Sequence, residues 1–144
     1  MLEAKIKSLY EDSHMPTRGS EYAAGFDLYA HDAVIIKPHE TEKIGTGIAV
    51  RPPEGYFGAV FARSGLATKQ GLRPANCVGV CDEDYTGEYI VALHNDSEET
   101  KKVEKGDRIA QLIFLPYVNI YFDTVEELEE TDRGNDGFGS TGIK

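Results

Sequence analysis

Punctuation constrains this chain more than any other feature. Fifteen Gly and six Pro interrupt it roughly every 8–12 residues, the spacing of a many-stranded sandwich or barrel. Between the interruptions lie short runs rich in β-branched and aromatic residues, predicting strands over residues 4–9, 26–30, 33–37, 42–50, 56–63, 77–81, 88–95 and 108–122. Pro38-His39, Pro52-Pro53-Glu54-Gly55, Asp84-Tyr85-Thr86-Gly87, Asn95-Asp96 and Lys105-Gly106-Asp107 supply turns. One short helix is expected over residues 64–70, with Ser64 as N-cap and Gly71 as the stop. Another is expected to start at Thr124 and run through Leu128. The predicted fold is all-β, a sandwich, jelly roll or barrel. Residues 132–144 are Gly-rich without apolar periodicity, so a flexible strap is expected after a folded region spanning 1–131.

At 144 residues and 40% apolar content, a single domain can bury a core without disulfides. A formal net charge of −10 argues against a nucleic-acid polymer or an anionic membrane surface as partner, since both select basic faces. The excess is uneven. Asp123, Glu126, Glu127, Glu129, Glu130, Asp132 and Asp136 face only Arg133 and Lys144 over the last 24 residues. The N-terminus lacks the apolar core of a secretory signal, and the longest apolar run, 109–122, is broken by Gln111, Pro116 and Asn119. A cytoplasmic protein is the expectation. Cys77 and Cys81, four apart on a predicted strand, would lie about 13 Å apart, beyond disulfide reach. They also lack the partner pair of a structural zinc site, which leaves small buried apolar residues as their expected role. The four histidines stand in unrelated contexts and are expected to be lone surface residues.

Two motif matches fail on context. Gly137-Phe-Gly139-Ser-Thr-Gly142 spells a dinucleotide fingerprint, but too few residues follow to form the required helix. Asp82-Glu-Asp84 opens like a calcium loop, yet its twelfth position is Leu93 rather than Glu.

Five segments carry polar residues that a β domain does not need. Asp27 interrupts the apolar run AGFDLYA. RSGLATKQG sets Arg63, Ser64 and Gly65 at a helix start, which reads equally as an anion site or as ordinary capping. Asn76 to Glu88 reads as two strands around a turn, with Asp82 just ahead of the turn and Tyr85 inside it. Its acids are either a solvated loop or a general base with an aromatic neighbour. Gln111 interrupts the strand GDRIAQLIF, where a satisfied buried amide competes with a ligand contact. Last, RGNDGFGSTG places Arg133, Phe138, Ser140 and Thr141 on the strap, where the competing explanation is a disordered tail.

In this order and spacing, AGFDLYA, RSGLATKQG, GVCDEDYTGE, GDRIAQLIF and RGNDGFGSTG resemble the trimeric dUTPases from about Ile6 to Gly142. The resemblance implies a jelly-roll-like distorted barrel and a homotrimer whose active sites are shared between chains. It implies hydrolysis of dUTP to dUMP and pyrophosphate, with Asp82 activating water for attack on the α-phosphorus. Tyr85 would exclude a 2′-hydroxyl; Asn76 and the backbone around Gly79 would read uracil. Arg63, Ser64, Gly65 and Gln111 would hold phosphates. From a neighbouring tail, Arg133 would reach the γ-phosphate, Phe138 would stack on uracil, and Gly139, Ser140 and Thr141 would add hydrogen bonds. Asp27 would stand behind these groups, and Mg²⁺ would ride on the triphosphate without direct protein ligands. Two positions depart from the pattern: Ala62 replaces the usual Pro, and Cys81 the usual aliphatic residue. The rivals are a dCTP deaminase of related fold, an idle nucleotide-binding regulator and a lectin-like binder. The release of pyrophosphate or ammonia from dUTP and dCTP separates them.

Overall fold

Short strands follow one another from the N-terminus, each stopped by a turn residue. The computed structural model describes residues 1–139, 141 and 142. Its first strands are β1 (Lys5–Ser8), β2 (Phe26–Tyr29), β3 (Val34–Ile36), β4 (Thr41–Arg51) and β5 (Tyr56–Phe61). The one helix among the described residues, α1 (Ser64–Gln70), comes next, then β6 (Leu72–Pro74), β7 (Gly79–Cys81), β8 (Glu88–Asn95), β9 (Lys101–Val103) and β10 (Arg108–Pro116). Two four-stranded sheets, ordered β1-β4-β8-β6 and β2-β10-β5-β7, are joined by the ribbon β3-β9. All strand pairs are antiparallel. The result is a distorted jelly-roll-like β structure, in keeping with the predicted class.

Alternation explains the core. Along β8, Tyr89, Val91, Leu93 and Asn95 are buried while the residues between them are more exposed. Those side chains pack with Leu28, Ile36, Ile44, Ile48, Ile109 and Leu112, each at most 2% exposed. Each large apolar side chain buried in this way contributes roughly 1.5–3 kcal/mol. Two polar residues, Thr46 and Asn95, are buried with this core, Asn95 with no exposed surface. The Asn95 amide donates to the carbonyls of Ile36 and Glu99 and accepts from the N–H and hydroxyl of Ser97. The end of β8 is thereby tied to β3 and to the loop before β9.

Several expectations are corrected. Ser64 is not the N-cap: Arg63 holds that position with extended dihedrals, and no side chain caps the first turn. Gly71 does stop the helix, left-handed at φ 71°, where glycine escapes the Cβ penalty. β10 ends at Pro116 instead of reaching Phe122. Its partner β5 begins at Tyr56, opposite Pro116, and one further bond, from the Tyr117 N–H to the Gly55 carbonyl, closes the ladder. Beyond that the chain has no strand to pair with. Residues 124–128 form no helix and are exposed; without packing, nothing offsets the nucleation cost of so short a turn. The expected strand 77–81 shortens to three residues, because Cys77 sits in a turn at φ 64° and is exposed. Cys81 is only partly buried. His31 is not a surface residue: its side chain is 11% exposed and lies between Asp12 and Asp32. β6 and β9 were not expected, since three residues containing Pro74, or Lys101 and Lys102, carry no strand pattern. No helix among the described residues is long and apolar enough to cross a membrane.

Candidate active site

The hairpin between β7 and β8 carries Asp82 at its start and Tyr85 in its turn. The Tyr85 N–H donates to the Asp82 carbonyl at 3.1 Å. The Tyr85 hydroxyl folds back to the Glu88 carbonyl at 2.7 Å. Gly87 makes this possible, since a Cβ there would stand 2.6 Å from that hydroxyl. Of the three consecutive acids, Glu83 is structural. Its Oε1 accepts from the Gly55 N–H at 2.6 Å and from the Tyr117 hydroxyl at 3.0 Å. These bonds, the one from Gly55 foremost, hold the Glu83 carboxyl below its usual range. At the other end, Glu88 Oε2 accepts from the Gly47 N–H at 2.9 Å, beside the irregularity between Gly45 and Ala49 in the β4–β8 register. The hairpin is therefore anchored at both feet, while Asp82 is left exposed.

A cleft of about 220 Å³ opens against this hairpin, and Asn76, Gly79, Asp82 and Tyr85 line it together with Val60, Cys81 and Tyr89. It is about the size of one small planar group and offers both backbone and carboxylate oxygens. Asp82 also borders a second depression with Asp84, Phe57 and Tyr117.

A second group gathers at the far end of β5. Gln111 on β10 lies opposite Asp27 on one side and Phe61 on the other. Its amide donates to the Ala62 carbonyl at 2.9 Å. Gly25 leaves room for it, since a Cβ there would meet Gln111 Oε1 at 2.5 Å. Arg63 Nε donates to Asp27 Oδ1 at 3.1 Å, and Arg108 Nη1 stands 3.7 Å from Asp27 Oδ2. Ser64 and Gly65 follow on the exposed first turn of α1, with open space around Gly65.

Asp27, Arg63, Ser64, Gly65 and Gln111 do not line the cleft of Asp82. Arg133, Phe138, Gly139 and Thr141 do not line it either. Arg133 donates instead to the Asp136 carbonyl within its own turn, at 2.6 Å, and Phe138 is fully exposed. Ser140 lies outside the described residues. One chain thus carries three separate groups rather than one closed site. Sequence reasoning missed Glu83, Tyr89 and Tyr117, because an acid in an acidic turn and a tyrosine in a strand look like ordinary surface and core.

The dUTPase family profile matches residues 11–142. Among curated proteins, the deoxyuridine 5′-triphosphate nucleotidohydrolase of Nautilia profundicola is 45% identical over 98% of this chain and 99% of its own length. The one from Paramecium bursaria Chlorella virus 1 is 44% identical over 96% of each chain. Among solved structures, the Staphylococcus bacteriophage 80alpha dUTPase with dUpNHpp superposes with a TM-score of 0.91 at 31% identity, covering 98% of this chain and 99% of that one. A dUTPase variant from a phage of S. aureus, described for its coordination of a structural Mg(II) ion, gives 0.81 at 27% identity, over 89% and 99%. The chain belongs to the dUTPase family. Its activity class is accordingly dUTP diphosphatase, a hydrolase of nucleotide metabolism.

Proposed function

We propose that this chain hydrolyses dUTP to dUMP and pyrophosphate with Asp82 as general base, drawing a proton from the water that attacks the α-phosphorus. The observation that carries this reading is the shared cleft: the free carboxylate of Asp82 borders the same small pocket as Asn76, Gly79 and Tyr85. Asn76 and the backbone at Gly79 read the uracil edge, and the Tyr85 ring lies against the deoxyribose and refuses a 2′-hydroxyl. Arg63, Ser64, Gly65 and Gln111 hold the phosphates, and Asp27 orients Arg63. Residues 132–144 form the strap. From it Arg133 meets the γ-phosphate, Phe138 covers uracil, and Gly139, Ser140 and Thr141 add hydrogen bonds.

Because these groups are separate in one chain, the reading requires a homotrimer in which each site draws on several chains. The arm after β10 supports assembly. Val118, Ile120, Tyr121, Phe122 and Leu128 are each more than 70% exposed, a run of apolar surface that single chains rarely leave uncovered. Among the described residues no three His, Cys, Asp or Glu side chains converge to hold a metal, and the Asp27 carboxylate is already faced by two guanidinium groups. In this reading Mg²⁺ would be held by the oxygens of the triphosphate, where it would neutralise phosphate charge. The cellular consequence is a low dUTP level, which limits uracil in DNA, and a supply of dUMP for dTMP synthesis. The enzyme works in the cytoplasm.

Release of pyrophosphate and ammonia from dUTP, dCTP, dTTP and UTP, with and without EDTA, tests the reading. Pyrophosphate from dUTP alone is expected, and Asp82→Asn is expected to lower kcat roughly 10²–10⁴-fold, the usual worth of a positioned base. Full activity of Asp82→Asn would remove the base from the mechanism, and ammonia from dCTP would replace the reaction class.

A further inference from the structure

Among the described residues Tyr89 is the largest fully buried side chain, and it is oddly placed for a core residue. Its hydroxyl is buried with no hydrogen-bond partner beyond the weakly bonding thiol of Cys81 beside it. A buried hydroxyl left in this state costs stability, and a phenylalanine would avoid the cost.

The geometry around the ring supplies a reason. Tyr89 starts from β8 in one sheet and reaches the β5–β7 pair of the other. Its hydroxyl lies over Gly58, where a Cβ would stand only 2.7 Å away. Gly58 pairs with Cys81, the residue immediately before Asp82. Two small residues therefore make the socket for one long side chain. The other neighbour is aromatic: the rings of Tyr85 and Tyr89 stack at 26° with centroids 6.3 Å apart, within the range of favourable offset pairs. Tyr89 touches both ends of the segment that carries the base and the sugar-facing ring.

We infer that Tyr89 is a positioning residue for sugar selectivity, a strut that backs the Tyr85 ring and seats the Cys81–Asp82 step. The inference rests on the proposed role of Tyr85. No substrate contact is assigned to Tyr89: it borders the cleft, but at 1% exposure it presents almost no open surface there. Selectivity against a 2′-hydroxyl needs a ring that cannot retreat, and a ring supported from behind retreats less than one standing alone. Cleft width thus depends on a side chain that is almost wholly buried.

The test compares kcat/KM for dUTP and UTP in the full-length enzyme carrying Tyr89→Leu, Tyr89→Phe, Gly58→Ala or Tyr85→Ala, with folding checked by circular dichroism. Tyr89→Leu is expected to lower the dUTP-over-UTP ratio about ten-fold, the order of discrimination that one fitted pocket wall supplies. Tyr89→Phe keeps the ring and is expected to hold the ratio within about two-fold of the parent. Gly58→Ala presses on the hydroxyl from below and should shift the ratio the same way as Tyr89→Leu; it decides the matter if Tyr89→Leu fails to fold. An unchanged ratio in folded Tyr89→Leu or Gly58→Ala, with Tyr85→Ala altered, would overturn the strut alone. So would Tyr89→Phe falling as far as Tyr89→Leu. An unchanged ratio in Tyr85→Ala would instead overturn the reading of Tyr85 on which the strut depends.

Discussion

His31 turns both ring nitrogens toward carboxylates: Nε2 stands 2.9 Å from Asp12 and Nδ1 3.4 Å from Asp32. A neutral imidazole has one N–H and can donate to one carboxylate only, so this environment favours the imidazolium. The bond to Asp12 raises the ring above its usual 6.5, outweighing desolvation. Asp12 falls to about 2, held first by Lys105 and then by His31. Tyr10 stacks on the same ring with centroids 4.2 Å apart, and Ser13 donates to the Gly47 carbonyl at 2.6 Å, so the cluster fastens the loop after β1 to the body. The sign follows from linkage. With a folded pKa above 6.5, the contribution of His31 is complete below that value and fades as pH rises through the folded one. Asp12 contributes above its ordinary value of 3.8 and loses that contribution as pH falls toward about 2. Thermal midpoints are therefore expected to decline as pH rises above 6.5, and His31→Gln should remove that part of the slope. An identical slope in His31→Gln would show that the cluster does not titrate there.

Among the elements, β8 decides most. It is the strand shared by β4 and β6, it carries Tyr89 at one end, and its other end is closed by Asn95. Asn95→Ala would strand the carbonyl of Ile36 and free the Ser97 turn, so a loss of about 1–3 kcal/mol is expected in denaturant unfolding. A change within a few tenths of a kcal/mol would mean that water replaces the amide. Strand existence was legible from the Gly and Pro punctuation, and β8 matches its expected bounds. Strand ends were less so, because an end depends on where the partner stops. β10 illustrates this: residues 117–122 keep an apolar pattern, yet the turn at Gly55 leaves them no neighbour. β6 and β9 were invisible for the converse reason, since neighbours rather than propensity hold those three-residue segments in place.

At the scale of the whole molecule, charge and assembly set the expectations. The proposed homotrimer would carry three times the −10 of one chain, the same sign as dUTP, so long-range steering would not favour capture. The kcat/KM for dUTP is expected to rise, or at least not to fall, with moderate salt, which screens that repulsion. A steep fall would show that a local basic field dominates. Truncation after Asp132 is expected to cripple turnover while leaving the proposed trimer intact in sedimentation, because in the proposed reading the strap would add contacts to substrate and none to the core. Dissociation on truncation would assign the strap to assembly instead.

The sequence by itself determined the class of fold, the helix stop at Gly71 and the order of the polar segments, because turn chemistry and apolar alternation act over a few residues. It also carried the family, since five motifs in fixed order leave little room for another reading. Only the tertiary structure decided which acid of Asp82-Glu83-Asp84 is taken up by anchoring and which is left open to the cleft. The same holds for the pairing of Asp27 with Arg63 and for the seat of Tyr89 on Gly58. Each joins residues at least 28 positions apart in sequence, and no local pattern records which distant backbone or side chain the folded sheets bring within reach. The acidic C-terminal stretch that the composition marked out carries the same lesson: its described residues do not line the cleft of their own chain, and no local pattern records what they meet.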